Sequence, residues 1–432
     1  MRAALADLAP QLRQVAGEPA PPATVADVVA AYRRWLHLPD LTPLLAVLGA
    51  VAANRLEGDP VWLLVVGPPG GGKSELLGGL TQLPDVHPAA TLTEAALLSG
   101  TPKKESQGAR GGLLRVIGDF GLIVCKDFGS VLSMHRDARA AVLAALREVF
   151  DGSWTRHVGT DGGRTLHWSG KVGLIAGCTP TIDRHHAVMG AMGERFILVR
   201  LPEADGSEQA RRALAHAGKE RAMRAELSEA VAGLFSTTGH ATLQPLTDEE
   251  TDQLVSLSSL IVRCRSAVER DGYSREVELI PDPEAPTRLI VVLERLFSGL
   301  LTIGVDRPTA WQVVGSAALD SMPALRRSVL GCLHGQDELP TSQVAEGVGY
   351  PRSTTERALE DLVAHGIADA HRHGQGKATT WSLTRWAALR YAAATSPETS
   401  APTNPATSPE TSAEALKDPD TTFDDFSGEV VR

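Results

Sequence analysis

The chain has 432 residues, of which 43% are hydrophobic and 22% charged, a composition that excludes a wholly disordered chain and suggests about three domains. Its four cysteines are far apart, without metal-ligand or disulfide-framework spacing, which predicts buried thiols in a reducing cytoplasm. No apolar stretch is long enough to span a membrane and the amino-terminal residues lack a signal-peptide core, so no membrane partner is expected.

The net charge of −10 is concentrated near the end of the chain, where Thr395–Arg432 carries eight acidic and two basic residues. The remainder is nearly neutral and can carry basic patches, so the overall sign does not exclude a nucleic-acid partner. The end segment repeats TSPETSA and is rich in Pro, Ser and Thr, which predicts a disordered tail over residues 393–432. Phe423 and Phe426 lie among its acids, so a docking peptide for a protein partner is an alternative to a purely solubilising tail.

The first 56 residues are predicted to form a helical segment. After a helical stretch in residues 1–22 and a Pro-rich interruption, apolar residues recur at helical spacing over Val25–Leu36 and Thr42–Arg55. We expect these helices to pack against the domain that follows.

That domain opens with five apolar residues, Trp62–Val66, followed by a glycine-rich segment and a helix. The apolar run predicts a buried strand, and the segment matches the P-loop pattern, in which glycines let backbone N–H groups surround phosphate. We expect Lys73 to bind the β- and γ-phosphates of ATP and Ser74 to bind Mg²⁺. The predicted nucleotide-binding residues are Gly67, Pro68, Pro69, Gly70, Gly71, Gly72, Lys73 and Ser74.

Three further buried strands are predicted downstream. Gly121–Asp127 ends in an acid, Val172–Gly177 is followed by Thr179, and a fourth apolar run follows Arg195. Between the second and third strands, Asp151–Lys171 alternates around an Asp-Gly turn and predicts a β-hairpin that carries Arg156, His157 and Arg164.

The order of these parts resembles AAA+ ATPases, in the branch with a hairpin before the third motif strand, which includes MCM and viral-type replicative helicases. GPPGGGKS resembles Walker A, IVCKDF the Walker B region, and Trp154–Trp168 the hairpin. The resemblance, over roughly residues 60–322, implies catalytic roles for Lys73, for Asp127 with Mg²⁺, for Thr179 as sensor 1, for Arg195 as an arginine finger and for Arg288 as sensor 2. It also implies a ring, a hexamer being the expected form, with the hairpin facing DNA in the channel.

The Walker B segment departs from the family pattern, which ends in two acids. Here the pair is Lys126-Asp127, followed by Phe128, so only one of the two Walker B acids can be assigned. Slow hydrolysis and a borrowed second acid, for example Glu148 or Asp151, are both open.

From Met322 onward the pattern resembles a winged helix-turn-helix domain. Three short helices precede two strands around Gly374-Gln-Gly376, and the third helix, Arg352–His365, is expected to turn Ala358, Leu359, Leu362 and Val363 inward. The third helix would enter a major groove and the strands would form a basic wing near phosphates, although protein contact is the alternative. The predicted DNA contacts are Arg352, Ser353, Thr354 and Arg357 on the helix and Arg372, His373 and Lys377 on the wing.

The predicted fold class is therefore α/β, a P-loop AAA+ core with a parallel sheet. The boundaries are 1–56 for the helical segment, 57–245 for the core, 246–321 for a helical lid, 322–392 for the winged helix and 393–432 for the tail. The function expected first is a DNA-associated ATPase that remodels or unwinds DNA. The alternatives are a nucleotide-gated transcriptional regulator without motor activity and an NTP-binding scaffold.

Overall fold

A computed structural model describes residues 18–99, 111–159, 163–186, 195–203, 205–237, 245–374 and 377–395. These residues all fall within one compact unit, Met1–Ser400. Most of the helical stretch predicted in residues 1–22, and the acidic tail beyond Thr395, lie outside the described residues.

The first half of the described chain begins with two helices and continues as alternating strands and helices. In chain order these are α1 (Val25–Trp35), α2 (Thr42–Arg55), β1 (Trp62–Val66), α3 (Lys73–Gly78), β2 (Val86–Ala89), α4 (Glu94–Leu97), α5 (Leu113–Ile117), β3 (Phe120–Cys125), α6 (Gly129–Leu132), α7 (Arg136–Phe150), β4 (Ser153–Val158), β5 (Arg164–Ser169), β6 (Lys171–Cys178) and β7 (Phe196–Arg200). A 3₁₀ helix follows β6 at Pro180–His185.

Five of these strands form a parallel sheet in the order β2-β3-β6-β1-β7. Four correspond to the predicted buried strands, so a mixed α/β fold with a parallel sheet is confirmed. The sequence does not predict the fifth, β2, because this edge strand contains Pro88 and buries only Val86. Proline is tolerated at an edge, where one side of the strand needs no ladder partner.

The position of β1 decides where the P-loop lies. All five residues of β1 are buried, and the strand is flanked on both sides, with Trp62 opposite Leu174 and Phe196. Because its neighbours run parallel to it, the ends of β1, β6 and β7 reach the same edge of the sheet. In open α/β sheets this carboxyl edge is where ligands bind.

Side chains of β1 alternate between the two hydrophobic layers that cover the sheet. Leu63 and Val65 face a layer built from the amino-terminal helices and the helices of the second half, whereas Trp62, Leu64 and Val66 face α7 and the β4–β5 hairpin. This alternation is the period-two pattern of a strand that is buried on both faces.

The predicted hairpin is confirmed as the antiparallel pair β4–β5. Trp154 lies directly opposite Trp168, and both indole rings are buried in the layer beneath α7. This aromatic cross-strand pair fixes the register of the hairpin.

The second half is mainly helical. Its elements are α8 (Gly206–Ala215), α9 (Glu220–Thr237), α10 (Asp248–Arg265), β8 (Glu269–Arg270), β9 (Val277–Leu279), α11 (Thr287–Thr302), α12 (Arg307–Asp320), α13 (Ala324–Leu333), β10 (Leu339–Pro340), α14 (Thr341–Val348), α15 (Arg352–Ala364), β11 (Ala368–His371), β12 (Thr380–Leu383) and α16 (Arg385–Thr395). The region predicted as a helical lid thus holds α10, α11 and α12, together with the β8–β9 hairpin, which the sequence does not predict.

The end of the described chain has a winged-helix arrangement. Helices α13, α14 and α15 pack beside a sheet in the order β10-β12-β11. Of the α15 residues predicted to point inward, Ala358, Leu359 and Leu362 are buried and Val363 is half-buried. Gly366 adopts a φ of 69° just beyond α15, a conformation that suits glycine at the end of a helix.

Helices α2 and α11 cross at unusually short range, because glycines face each other at the contact. A Cβ added to Gly299 would lie 2.6 Å from the backbone nitrogen of Ala53, and nearer still to the carbonyl oxygen of Gly49. Both neighbouring groups are backbone, so they cannot rotate away. This contact attaches α11 directly to the helix that covers the sheet.

We therefore expect Gly299→Ala to destabilise the fold by about 1–3 kcal/mol through overpacking, despite the better helix propensity of alanine. The matched control is Gly315→Ala in α12, whose Cβ would meet only the Ala394 carbonyl oxygen at 3.6 Å. That variant should be neutral or slightly stabilised. Urea unfolding of both proteins checks the pair, and equal stability would contradict the close helix contact.

Candidate nucleotide site and DNA-facing surfaces

The P-loop leaves the carboxyl end of β1 and turns sharply into α3. Gly70 and Gly72 have φ values of 76° and 89°, although a Cβ at either position would meet nothing within 4 Å. Glycine is therefore required there by backbone conformation rather than by space. Pro68, Pro69, Gly70 and Ser74 are exposed, and Gly71 and Gly72 half-buried, so the loop presents its backbone to solvent.

The ammonium group of Lys73 lies back over its own loop. Its Nζ donates to the carbonyl oxygens of Gly67 at 2.6 Å and Pro68 at 2.7 Å. Burial lowers the pKa of Lys73, while the nearby Asp127 carboxylate acts in the opposite direction. An ammonium group has three donors, so two loop contacts leave one for another acceptor.

Asp127 follows β3 and is exposed at the same edge of the sheet. Its Oδ1 accepts a hydrogen bond from the backbone N–H of Gly129 at 2.9 Å, while the neighbouring Phe128 N–H donates to the Gly177 carbonyl oxygen at 2.7 Å. The Asp127 carboxylate is near enough to influence the pKa of Lys73. The structure therefore brings together the P-loop lysine and the acid predicted to hold Mg²⁺.

The side chain of Lys126, like that of Asp127, is exposed. Its backbone is closely packed, since a Cβ on Gly177 would lie 2.6 Å from the Lys126 carbonyl oxygen. The unusual lysine in the Walker B segment is thus accommodated by pointing outward.

Cys178 ends β6 beside the P-loop, and Thr179 follows it. The carbonyl oxygen of Cys178 accepts from the Gly67 N–H at 3.1 Å, and the Thr179 hydroxyl lies 2.6 Å from that of Thr181. Burial raises the pKa of the Cys178 thiol to about 11, so this residue is a neutral part of the core. The end of β6 is therefore in direct backbone contact with the start of the P-loop, while the sensor role of Thr179 stays a prediction.

Arg195 and Asp151 form an ion pair at the opposite edge of the sheet. The Arg195 guanidinium, with 6% of its side chain exposed, contacts both carboxylate oxygens of Asp151 at 2.8 and 3.0 Å. Arg195 precedes the first residue of β7, and the five residues of β1 separate this edge from the P-loop by ~13 Å. The hypothesis that Asp151 supplies a second acid to the site of its own chain is therefore wrong. The arginine-finger role of Arg195 stays a prediction, and Glu148 is an exposed residue of α7.

Arg288 lies in the first turn of α11, where its guanidinium contacts Glu284 at 2.7 Å. Glu284 also pairs with the buried Arg265 at 3.0 Å. The sensor 2 role of Arg288 stays a prediction.

Arg200 at the carboxyl end of β7 is a residue that the motif comparison did not single out. Its guanidinium binds both carboxylate oxygens of Asp183 at 2.8 and 2.9 Å, and donates to the carbonyl oxygens of Asp320 and Met322 at 3.1 Å. Asp320 in turn pairs with Arg327 of α13. One arginine therefore joins the edge of the sheet that bears the P-loop to the chain leading into the winged helix.

The basic residues predicted on the β4–β5 hairpin differ in their contacts. Arg156 donates to the Leu98 carbonyl oxygen at 2.5 Å and pairs with Glu94 at 2.8 Å, so its guanidinium attaches the hairpin to α4 rather than facing solvent. Arg156 is therefore engaged within its own chain, and the DNA contact predicted for it stays a prediction. His157 is exposed and lies 3.1 Å from the Thr165 hydroxyl, and the side chain of Arg164 lies outside the described residues.

The winged-helix residues are mostly exposed. Arg352, Ser353 and Arg357 are exposed on α15, whereas Thr354 is half-buried. On the wing, Arg372 and Lys377 are exposed, while His373 contacts the Thr380 hydroxyl at 2.7 Å and Glu338 at 3.4 Å.

No group of three or more His, Cys, Asp or Glu side chains in the described part of the chain could hold a metal ion. A Mg²⁺ ion with one carboxylate and substrate phosphates needs no such cluster. Among the residues that the structure describes, no helix is long and apolar enough to cross a membrane.

Because Arg156 links the hairpin to α4, we expect Arg156→Ala to lower the free energy of unfolding by about 1–3 kcal/mol. His157→Ala, on the exposed face of the same strand, should stay within about 0.5 kcal/mol of wild type. Denaturant unfolding measures both variants. If Arg156→Ala is as stable as wild type but binds DNA more weakly, the side chain serves DNA contact rather than attachment of the hairpin.

Comparison with known proteins gives two findings. The IclR helix-turn-helix domain family matches residues 328–371, which cover the last part of α13 through β11. Among solved structures, the chain is similar to "The A form apo structure of NrS-1 C terminal region-CTR", at 9% identity and a TM-score of 0.26, covering 84% of this chain and 77% of that one. A TM-score this low does not establish a shared fold, and the search of curated proteins gives no match. A helix-turn-helix domain at the end of the described chain, and DNA as its partner, are thus supported by the family match.

Proposed function

We propose that the protein binds ATP with Mg²⁺ at the carboxyl edge of its parallel sheet and couples the nucleotide state to DNA binding by the winged helix. The observation that carries the proposal is the placement of Lys73 and Asp127 at that edge, since the P-loop that follows β1 and the acid that follows β3 lie on either side of the end of β6 and belong to the two motifs that such chemistry needs. The AAA+ assignment of the core is part of this proposal.

The residues at the edge fit a nucleotide. The positive φ values of Gly70 and Gly72 form an exposed backbone turn, and Lys73 has donor capacity beyond its loop contacts. Ser74 and Asp127 are exposed oxygen ligands of the kind that Mg²⁺ prefers. Bound Mg²⁺ would supply charge neutralisation at the β- and γ-phosphates. Hydrolysis with a single Walker B acid is proposed to be slow.

The Arg200 ion-pair network provides a physical route for coupling. It contacts Asp183 just after β6, Asp320 at the end of α12 and, through Asp320, Arg327 in the first helix of the winged domain. A conformational change at the end of β6 would therefore alter the contacts of Asp320 and Arg327, which position α13. Two elements that share one set of ion pairs cannot move independently without breaking it.

Two forms of this function remain distinct proposals. In the motor form, subunits assemble in a ring, expected to be hexameric, Arg195 completes the site of a neighbour, and ATP hydrolysis drives DNA remodelling or unwinding. In the regulator form, ATP sets the conformation or oligomeric state and the winged helix supplies DNA specificity. The engagement of Arg156 by Glu94 and Leu98 favours the regulator, because it removes one expected channel contact.

We expect Lys73→Ala to abolish nucleotide binding without unfolding the protein, because the phosphates lose a point charge while the loop stays anchored by backbone contacts. Calorimetry with ATP and Mg²⁺, and ATPase rates with no DNA, single strands or duplex, test wild type and variant. DNA-stimulated hydrolysis in the wild type supports the motor, whereas ATP binding without stimulation supports the regulator. Unchanged ATP affinity in folded Lys73→Ala would remove the nucleotide site.

On the wing, the double variant Arg372→Ala with Lys377→Ala should weaken duplex binding and flatten its salt dependence, by about one unit of slope for every phosphate that the variant can no longer neutralise. The control is Arg211→Ala with Lys219→Ala, which removes the same charge from exposed positions on and just after α8. Fluorescence anisotropy across a salt series measures both. Equal weakening in the two double variants would indicate a general charge effect rather than a DNA-binding wing.

A further inference from the structure

The face of α15 that bears Arg357 borders an open cleft. Ser353, Glu356, Arg357 and Glu360, spaced along one face of the helix, line a cleft of about 310 Å³. The opposite wall is the turn between β8 and β9, including Ser274, Arg275 and Glu276. A segment of the lid region therefore lies alongside the helix predicted to read DNA.

One arginine holds this hairpin in place. Arg270 of β8, whose side chain is 13% exposed, pairs with Glu360 at 2.8 Å and Asp361 at 2.6 Å, and its Nη2 donates to the Arg357 carbonyl oxygen at 3.0 Å. By contrast, every residue from Asp271 to Ile280 is exposed. The hairpin thus docks on α15 through a few polar contacts, without burying an apolar face, and such contacts open at low cost.

The docked hairpin is incompatible with a DNA-bound α15 for steric reasons. A helix with its side chains is about 10–12 Å across and the major groove is about 12 Å wide, so the helix fills the groove. A second segment of backbone beside two turns of the same helix would meet the walls of the groove.

The net negative charge of the β8–β9 hairpin also opposes DNA binding. Residues 269–279 carry four acids, Glu269, Asp271, Glu276 and Glu278, against Arg270 and Arg275. The Arg270 guanidinium is already engaged by Glu360 and Asp361. An acidic segment beside a recognition helix repels phosphates, and this argues against the hairpin as an added DNA contact.

We infer that the β8–β9 hairpin is an autoinhibitory gate on the winged helix, and that α15 binds duplex DNA after the hairpin has left it. The inference rests on the proposed DNA-binding function. The hairpin joins α10 to α11, and the end of α10 stays bonded to the winged helix through Arg326, which donates to the Cys264 and Ser266 carbonyl oxygens. The hairpin would therefore open by itself, and its opening would control access of DNA to α15.

The first test is Arg270→Ala, which removes the anchor. Asp361 keeps its second partner, Arg326, at 2.9 Å, and Glu360 is 42% exposed, so the variant should fold. We expect its affinity for a fluorescent duplex of mixed sequence to rise about tenfold if the hairpin is docked in about nine molecules of ten. The control Arg211→Ala loses the same charge and should bind slightly more weakly than wild type. Equal or weaker binding by folded Arg270→Ala overturns the gate.

A second test keeps Arg270 and so does not depend on that variant's stability. Ser274→Cys with Ser353→Cys, joined by a reducible bismaleimide, should lose duplex binding when linked and regain it on reduction; each single-cysteine variant treated alike is the control. Undiminished binding by the linked protein overturns the gate while leaving the DNA-binding function standing. No duplex binding by wild type, Arg270→Ala or reduced protein would count against the proposed DNA-binding function itself, and the gate would fail with it.

Discussion

The enclosure of β1 is the constraint on which the rest of the structure depends. Because β1 is paired on both sides and buried on both faces, a ligand can reach it only at its ends. The P-loop begins at its carboxyl end. The same edge receives Asp127 from β3, Thr179 from β6 and Arg200 from β7. Residues that are far apart in the chain become neighbours because parallel strands end together.

Arginine side chains join several of the parts. Arg156 fixes the hairpin to α4, Arg195 pairs with Asp151 at the far edge, and Arg200 links the sheet to the chain entering the winged domain. A guanidinium presents several donors in a fixed plane, so it can bind a carboxylate and backbone carbonyls together. Each arginine used this way is less available for phosphate, which is why basic residues in a motif cannot be assigned to DNA by charge alone.

The winged helix and the lid region illustrate how one surface can serve two purposes. The helix proposed to enter a major groove is also a site for Arg270, because Glu360 and Asp361 lie just beyond Arg357, a predicted DNA contact. Competition between an intramolecular acidic hairpin and a polyanion for the same helix would make DNA affinity depend on the position of the hairpin.

The sequence by itself determined the local features: the four apolar strands, the P-loop glycines, the β4–β5 hairpin and the inward residues of α15. These follow from short-range periodicity and backbone preference, which are properties of neighbouring residues. Tertiary structure alone decided the edge strand β2, whose single buried residue gives no periodic signal, and the β8–β9 hairpin, all but one of whose residues are exposed. It also decided the pairings of Arg156 with Leu98, Asp151 with Arg195 and Arg270 with Asp361, because the two residues of each pair are 44 to 91 positions apart in the chain. A sequence motif specifies a charged residue. The residue that neutralises it lies in a distant segment, which only the packing of the sheet and helices brings close.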